Sequence, residues 1–120
     1  MNADSMISRI KAHPDYEKVG MILCHNGVVR GTSRDGRKVS GLRVAVNREQ
    51  LATVLSEQRA RPGIVDIQVE IVADRDLNVG DDVMMLVVAG DIRDNVIAVL
   101  GDTLNAIKHT VTAKTEFFSE

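Results

Sequence analysis

Apolar residues recur along this chain with two different periods, and the switches between them mark out its elements. Met6, Ile7 and Ile10 share one side of a short helix over residues 4–13, with Asp4 or Ser5 as its cap and Pro14 as its stop. An apolar run from Val19 to Cys24 opens a strand that continues through Val28 and Val29. Asp35-Gly36 then predicts a two-residue hairpin turn, since these residues tolerate the positive φ angles such a turn needs. Its partner strand runs from Lys38 to Val46. Val39, Leu42, Val44 and Val46 supply its apolar residues, and Gly41 marks a bulge.

Beyond Asn47 the period changes. Asn47 with Gln50 three residues on reads as an approximate capping box, and Leu51, Val54 and Leu55 fall on one stripe of a helix over Arg48 to Arg61. Pro62-Gly63 ends it. Ile67, Val69 and Ile71 alternate with Gln68 and Glu70, the pattern of a half-buried strand. Asp74-Arg75-Asp76 and Gly80-Asp81 frame a connecting loop. Val83 to Ala89 is apolar on both faces, which predicts a central strand. Asp91 is a cap for the longest helix, Ile92 to His109, whose face is Val96, Ile97, Leu100, Leu104 and Ile107. Gly101 inside that helix predicts close packing against a strand, since glycine there costs about 1 kcal/mol relative to alanine. Val111 to Phe117 closes the chain as a short strand. The order α-β-β-α-β-β-α-β predicts an α+β fold with a mostly antiparallel sheet, in one domain spanning residues 1–120.

Composition narrows what this domain does. A globule of 120 residues has a radius of gyration of about 14 Å and buries enough surface to need no disulfide or metal staple. A net charge of −2 and 2% aromatic residues argue against a nucleic-acid module, which relies on phosphate neutralisation and base stacking. The one cysteine, Cys24, cannot form an internal disulfide, and its apolar run predicts a buried thiol. No signal peptide and no membrane-length apolar run is visible, so a cytoplasmic protein is expected. His13, His25 and His109 are scattered, without metal-ligand spacing. His25, in mid-strand, reads more readily as structural than as chemical.

What remains is positive charge. Arg30, Arg34, Arg37 and Lys38 crowd the Asp35-Gly36 turn against a single acid. A hairpin folds without such density; an anionic ligand would use it, although a solvated tip reads the same way residue by residue. Arg93 opens the long helix, where free backbone N–H groups also favour anions. Lys108 closes that helix and Lys114 lies in the last strand. Periodicity alone does not bring Arg30, Arg93, Lys108 and Lys114 together.

The order of these motifs resembles the large, catalytic subunit of molybdopterin synthase over about residues 19–117. Gly27-Val28-Val29-Arg30 is similar to the family's Gly-x-Val-Arg strand end, and Gly36-Arg37-Lys38-Val39 to its Gly-Arg-x-Val after the turn. Asp76 to Val83 is similar to the loop leading into its central strand. Arg93 falls where the family's His-Arg pair opens the last helix, Lys108 matches the lysine near that helix's end, and Ala113-Lys114-Thr115-Glu116 is similar to Trp-Lys-x-Glu.

The resemblance implies an α/β hammerhead-like fold that forms a homodimer. It also implies a small ubiquitin-like sulfur-carrier subunit as partner, whose Gly-Gly tail carries a thiocarboxylate. Sulfur would pass from that tail to cyclic pyranopterin monophosphate, giving the molybdopterin dithiolene, with no tightly held cofactor or metal. Lys108 and Lys114 would be the catalytic residues, and Arg30, Arg93, Arg37 and Arg34 would bind the substrate. Two departures stand out: the family's histidine is Ile92 here, and its aromatic before the second lysine is Ala113. They leave room for an alternative, a non-catalytic relative that binds a ubiquitin-like tail or a phosphorylated small molecule.

Overall fold

The computed structural model describes residues 2–119. Helix α1 covers Ala3–Lys11, a 3₁₀ turn follows at Tyr16–Lys18, and strand β1 covers Met21–Val28. Strand β2 is Val39–Val46, helix α2 Arg48–Arg59 and strand β3 Ile64–Ile71. A two-residue strand β4, Leu77–Asn78, precedes the long strand β5, Asp82–Gly90. Helix α3 spans Arg93–Ala106, runs into a π-helical turn at Ile107–Val111, and strand β6, Thr112–Phe118, closes the fold. The mixed α and β content and antiparallel pairing match the expected α+β class.

The strands form two antiparallel sheets rather than one. The first has the order β1-β5-β3, the second β4-β2-β6. β1 therefore pairs with β5, from Met21 opposite Gly90 onward, and not with β2 as a hairpin. The Asp35-Gly36 turn closes only a local bridge between Thr32 and Lys38. It is also longer than two residues. Ser33 N–H donates to the Arg37 carbonyl at 2.9 Å, and only Gly36 has positive φ, at 86°. Past this bridge the chain enters the second sheet, where β6 pairs along β2 from Val46 opposite Thr112. The register shift between Val39 and Gly41 is the expected bulge. At Gly41 a Cβ would run into the Leu77 carbonyl, so the β2–β4 contact requires glycine there.

β5 is central, as its two apolar faces require. Met85, Val87 and Ala89 pack against Met6 and Ile10 of α1. Leu86 and Val88 turn the other way and pack with Ile67 of β3 and Val96 and Val99 of α3. Val29, Leu42, Val44 and Leu77 fill the second sheet's core. Leu51 and Val54 of α2 bury against Ile107 and Val111, which anchors the π turn. Two sheets set in sequence lengthen the molecule to 52 × 25 × 24 Å, with a radius of gyration of 15.4 Å, above the expected value for one compact globule.

Other local expectations shift. Asn2, not Asp4 or Ser5, caps α1, its side chain accepting from Asp4 N–H at 2.8 Å. Asn47 caps α2 as expected, accepting from Gln50 N–H at 3.0 Å. Ile92 rather than Asp91 is the α3 cap; the Asp91 carboxylate accepts from Ile92 N–H at 2.6 Å and from the Asn95 amide at 2.9 Å. Cys24 is exposed, not buried, because β1 is an edge strand that turns alternate residues outward. Gly101 faces open space, so close packing is not its reason.

Candidate functional site

The two sheets and the end of α3 enclose a cleft of about 680 Å³. β1 supplies His25 and Val28. The segment after it supplies Val29, Arg30, Thr32 and Arg34. β2 supplies Val39 and Leu42, the π turn Lys108, and β6 Lys114 and Glu116. Four of the six expected site residues, Arg30, Arg34, Lys108 and Lys114, thus share one cavity although they lie up to 84 positions apart in the chain. A second cavity of about 650 Å³ adjoins it and shares His25, Arg34, Lys108 and Lys114. Its remaining wall is largely apolar: Val44, Ile71, Val83, Met84, Leu104 and Ile107. The site is therefore a cationic mouth continuous with an apolar lobe.

Local structure explains each placement. The register shift between Gly27 and Val28 breaks strand alternation, so that His25 and Val28 both reach the cleft. Arg30 is held by its own loop, Nε donating to the Thr32 carbonyl at 2.7 Å. The turn that carries Arg34 is braced by the Ser33 hydroxyl, which donates to the Asp35 carboxylate and accepts from Arg37 N–H at 3.1 Å. That hydroxyl bond, with help from Arg37 N–H, holds the Asp35 carboxyl below the usual carboxylate range. Lys108 sits on the π turn, not on a regular helix end as the sequence predicts. Such wide turns re-aim side chains and recur at functional sites.

The cleft carries an excess of positive charge, four cations against one acid, Glu116. Among the described residues, Arg34, Lys108 and Lys114 have no ion-pair or hydrogen-bond partner, although Glu116 lines the same cavity. Clustered cations that outnumber the acids beside them favour a bound anion. No group of three or more His, Cys, Asp or Glu side chains among the described residues is arranged to hold a metal ion.

Two expected residues lie elsewhere. Arg93 stands at the first turn of α3, and that helix rises about 20 Å before the cleft is reached. Arg37 stacks on Phe118, its guanidinium carbon 3.6 Å from the ring centroid. A cation over an aromatic face is a stable arrangement in its own right.

A family model described as MoaE protein matches residues 1–110. The chain belongs to the MoaE protein family. The match includes Lys108 and stops before Lys114. Solved structures share the fold. Molybdopterin cofactor biosynthesis protein E from Burkholderia multivorans aligns over 99% of this chain and 86% of its own, at 19% identity and a TM-score of 0.76. Molybdopterin synthase from Staphylococcus aureus aligns over 87% and 78%, at 20% identity and 0.73. A complex of subunits 1 and 2 of the molybdopterin-converting factor from Helicobacter pylori aligns over 100% and 85%, at 14% identity and 0.70. A comparison with curated proteins finds no match. Among the described residues, no helix is long and apolar enough to cross a membrane.

His25 is the cleft residue that sequence reasoning assigned to structure. Strand periodicity leaves its side unresolved; only the pairing of β1 with β5 and the shift at Gly27 turn it toward the cations.

Proposed function

We propose that this MoaE-family chain acts in molybdenum cofactor biosynthesis as the large, catalytic subunit of a molybdopterin synthase. In this reading a small ubiquitin-like subunit threads its thiocarboxylated Gly-Gly tail into the cleft, and sulfur passes to cyclic pyranopterin monophosphate to form the dithiolene. The observation that carries the reading is the convergence of Arg30, Arg34, Lys108 and Lys114 on one cavity, none of them in an ion pair among the described residues. The substrate's phosphate and the tail's thiocarboxylate are both anions, and fixed positive charge stabilises both them and the charge that develops during acyl chemistry. Lys108 and Lys114 serve as the reacting-centre cations, and Arg30 and Arg34 hold the substrate. The adjoining apolar lobe suits the uncharged part of a tail or ring. Arg93, a helix length away, serves this site only across a homodimer, in the cleft of a second copy.

Ile92, 56% exposed, and the exposed Ala113 favour the second reading, a relative that binds the tail without turning over. Titration calorimetry with a Gly-Gly-tailed small subunit tests what the two readings share. Binding is expected, and it weakens in Arg34→Ala. Absence of binding to a small subunit that does bind an authentic large subunit contradicts both.

A further inference from the structure

The three histidines of this chain differ in what holds them. His13 accepts from Asp15 N–H through Nδ1 at 3.0 Å, and His109 Nδ1 lies 2.6 Å from the Asn105 carbonyl. Both are tied into local backbone. His25 has no hydrogen-bond or ion-pair partner among the described residues, is half-buried, and lines both compartments of the cleft. A fully buried imidazole needs a hydrogen-bond partner, whereas the unpartnered ring nitrogens of His25 are not buried and stand open to the cavity. An imidazole left free inside a cationic cavity is available to a ligand.

The charged groups facing it are Arg30 and Arg34 from the loop, Lys108 from the π turn, and Lys114 and Glu116 from β6. β3 and β5 add only the apolar Ile71, Val83 and Met84. Imidazole is the side chain that both accepts and returns a proton near neutral pH.

From this we infer that His25 is the proton-transfer group of the cleft, an inference that rests on the sulfur-transfer reading above. The chemistry of that reading needs such a group. A thiocarboxylate that gives up its sulfur ends as a carboxylate, so one oxygen must come from water. As the tail sulfur bonds to the acceptor carbon, an oxygen substituent leaves that carbon with its electron pair and takes up a proton; water then attacks the tail's acyl carbon and a C–O bond forms. The acyl C–S bond breaks and its electron pair leaves with sulfur as a thiolate on the acceptor. His25 accepts the proton that water loses and returns it to the thiolate or to solvent. No electrons are gained or lost overall, and water is the only co-reactant.

The test is His25→Gln, which keeps the size and hydrogen-bonding capacity of the side chain and removes its titration, with His25→Ala beside it. Purified variants are assayed with thiocarboxylated small subunit and cyclic pyranopterin monophosphate across pH 5.5–9, after thermal melting shows them folded. The expected result is a fall of about 10²-fold or more in kcat for His25→Gln with KM changed less than about 3-fold. The acid limb of the pH profile should vanish, and added imidazole should restore part of the His25→Ala rate. A kcat within about 3-fold of wild type, or an acid limb that persists in His25→Gln, overturns the assignment. Absence of product from the wild-type chain, with a small subunit active on an authentic large subunit, overturns the sulfur-transfer reading and this assignment with it. If both variants fail to fold, imidazole resonances of the wild-type chain decide: the His25 signals should move when the thiocarboxylated small subunit is added. A His25 signal indifferent to it overturns the inference.

Discussion

Truncating Ile107 separates the scaffold from the site it carries. Ile107 is 2% exposed and packs with Leu51, Val54 and Val111, where α2 meets the π turn that holds Lys108. Ile107→Ala deletes the three carbons beyond Cβ, worth roughly 0.8 kcal/mol each on transfer, or about 2.4 kcal/mol. The cavity left behind adds about 1 kcal/mol where neighbours relax only in part, which gives a total near 3.5 kcal/mol, inside the range of about 2–5 for such changes. A chain of 120 residues has an unfolding entropy of about 0.25 kcal/mol/K, so Tm should fall by about 14 °C. Calorimetry and urea unfolding measure this directly. Ile107→Val, which deletes one carbon, should cost only about 1 kcal/mol. A drop in Tm below about 4 °C for Ile107→Ala would mean that the π turn is not anchored by this side chain, and the placement of Lys108 would need another cause.

Other consequences follow from local geometry. Gly63 has φ of 81°, and a Cβ there would run into the bonded Asp91 and Asn95 side chains, so Gly63→Ala should lower Tm by roughly 4–8 °C, for a cost of about 1–2 kcal/mol. Asp35 titrates below its ordinary range because the Ser33 hydroxyl and Arg37 N–H bond to its ionised form. Its folded value is depressed, so its contribution to stability is present above the unfolded value, about 3.9, and is lost as pH falls through the folded one. Ser33→Ala should therefore raise the Asp35 midpoint toward the ordinary range in a carboxyl NMR titration; an unmoved midpoint would contradict the assigned cause.

The parts of this fold that were legible in the sequence are those decided by near neighbours. Asn47 and Gln50 lie three positions apart, and the cap of α2 stands where their spacing places it. The doubly apolar run in β5 demanded cover on both faces, and α1 and α3 supply it. Pairing partners were not legible. β1 and β2 read as a hairpin because Asp35-Gly36 is a strong local signal, yet β1 finds β5 instead, some 60 residues on. That exchange turns Cys24 outward and brings His25 to the cleft. The site divides the same way. Charge density around the turn pointed to Arg30 and Arg34, but nothing in periodicity joins them to Lys108 and Lys114. Only the stacking of two sheets against the end of α3 does that. Arg37 and Arg93 carried the same charge signal and lie elsewhere, one on Phe118 and one at the far end of a helix.

Reconstituted turnover bears most directly on the central claim. The chain is mixed with thiocarboxylated small subunit and cyclic pyranopterin monophosphate, and dithiolene product is followed as its fluorescent oxidised derivative. Lys108 is exposed, so Lys108→Ala should change stability by no more than about 0.5 kcal/mol. Removing one cation about 4 Å from an anionic centre costs between about 1 and 4 kcal/mol across the range from bulk water to a protein surface. The expected result is product from the wild-type chain and a loss of roughly 10- to 10³-fold in Lys108→Ala with its melting temperature intact. Equal turnover by the two proteins would contradict the role given to Lys108. No product from the wild-type chain, beside a small subunit active on an authentic large subunit, would contradict sulfur transfer itself.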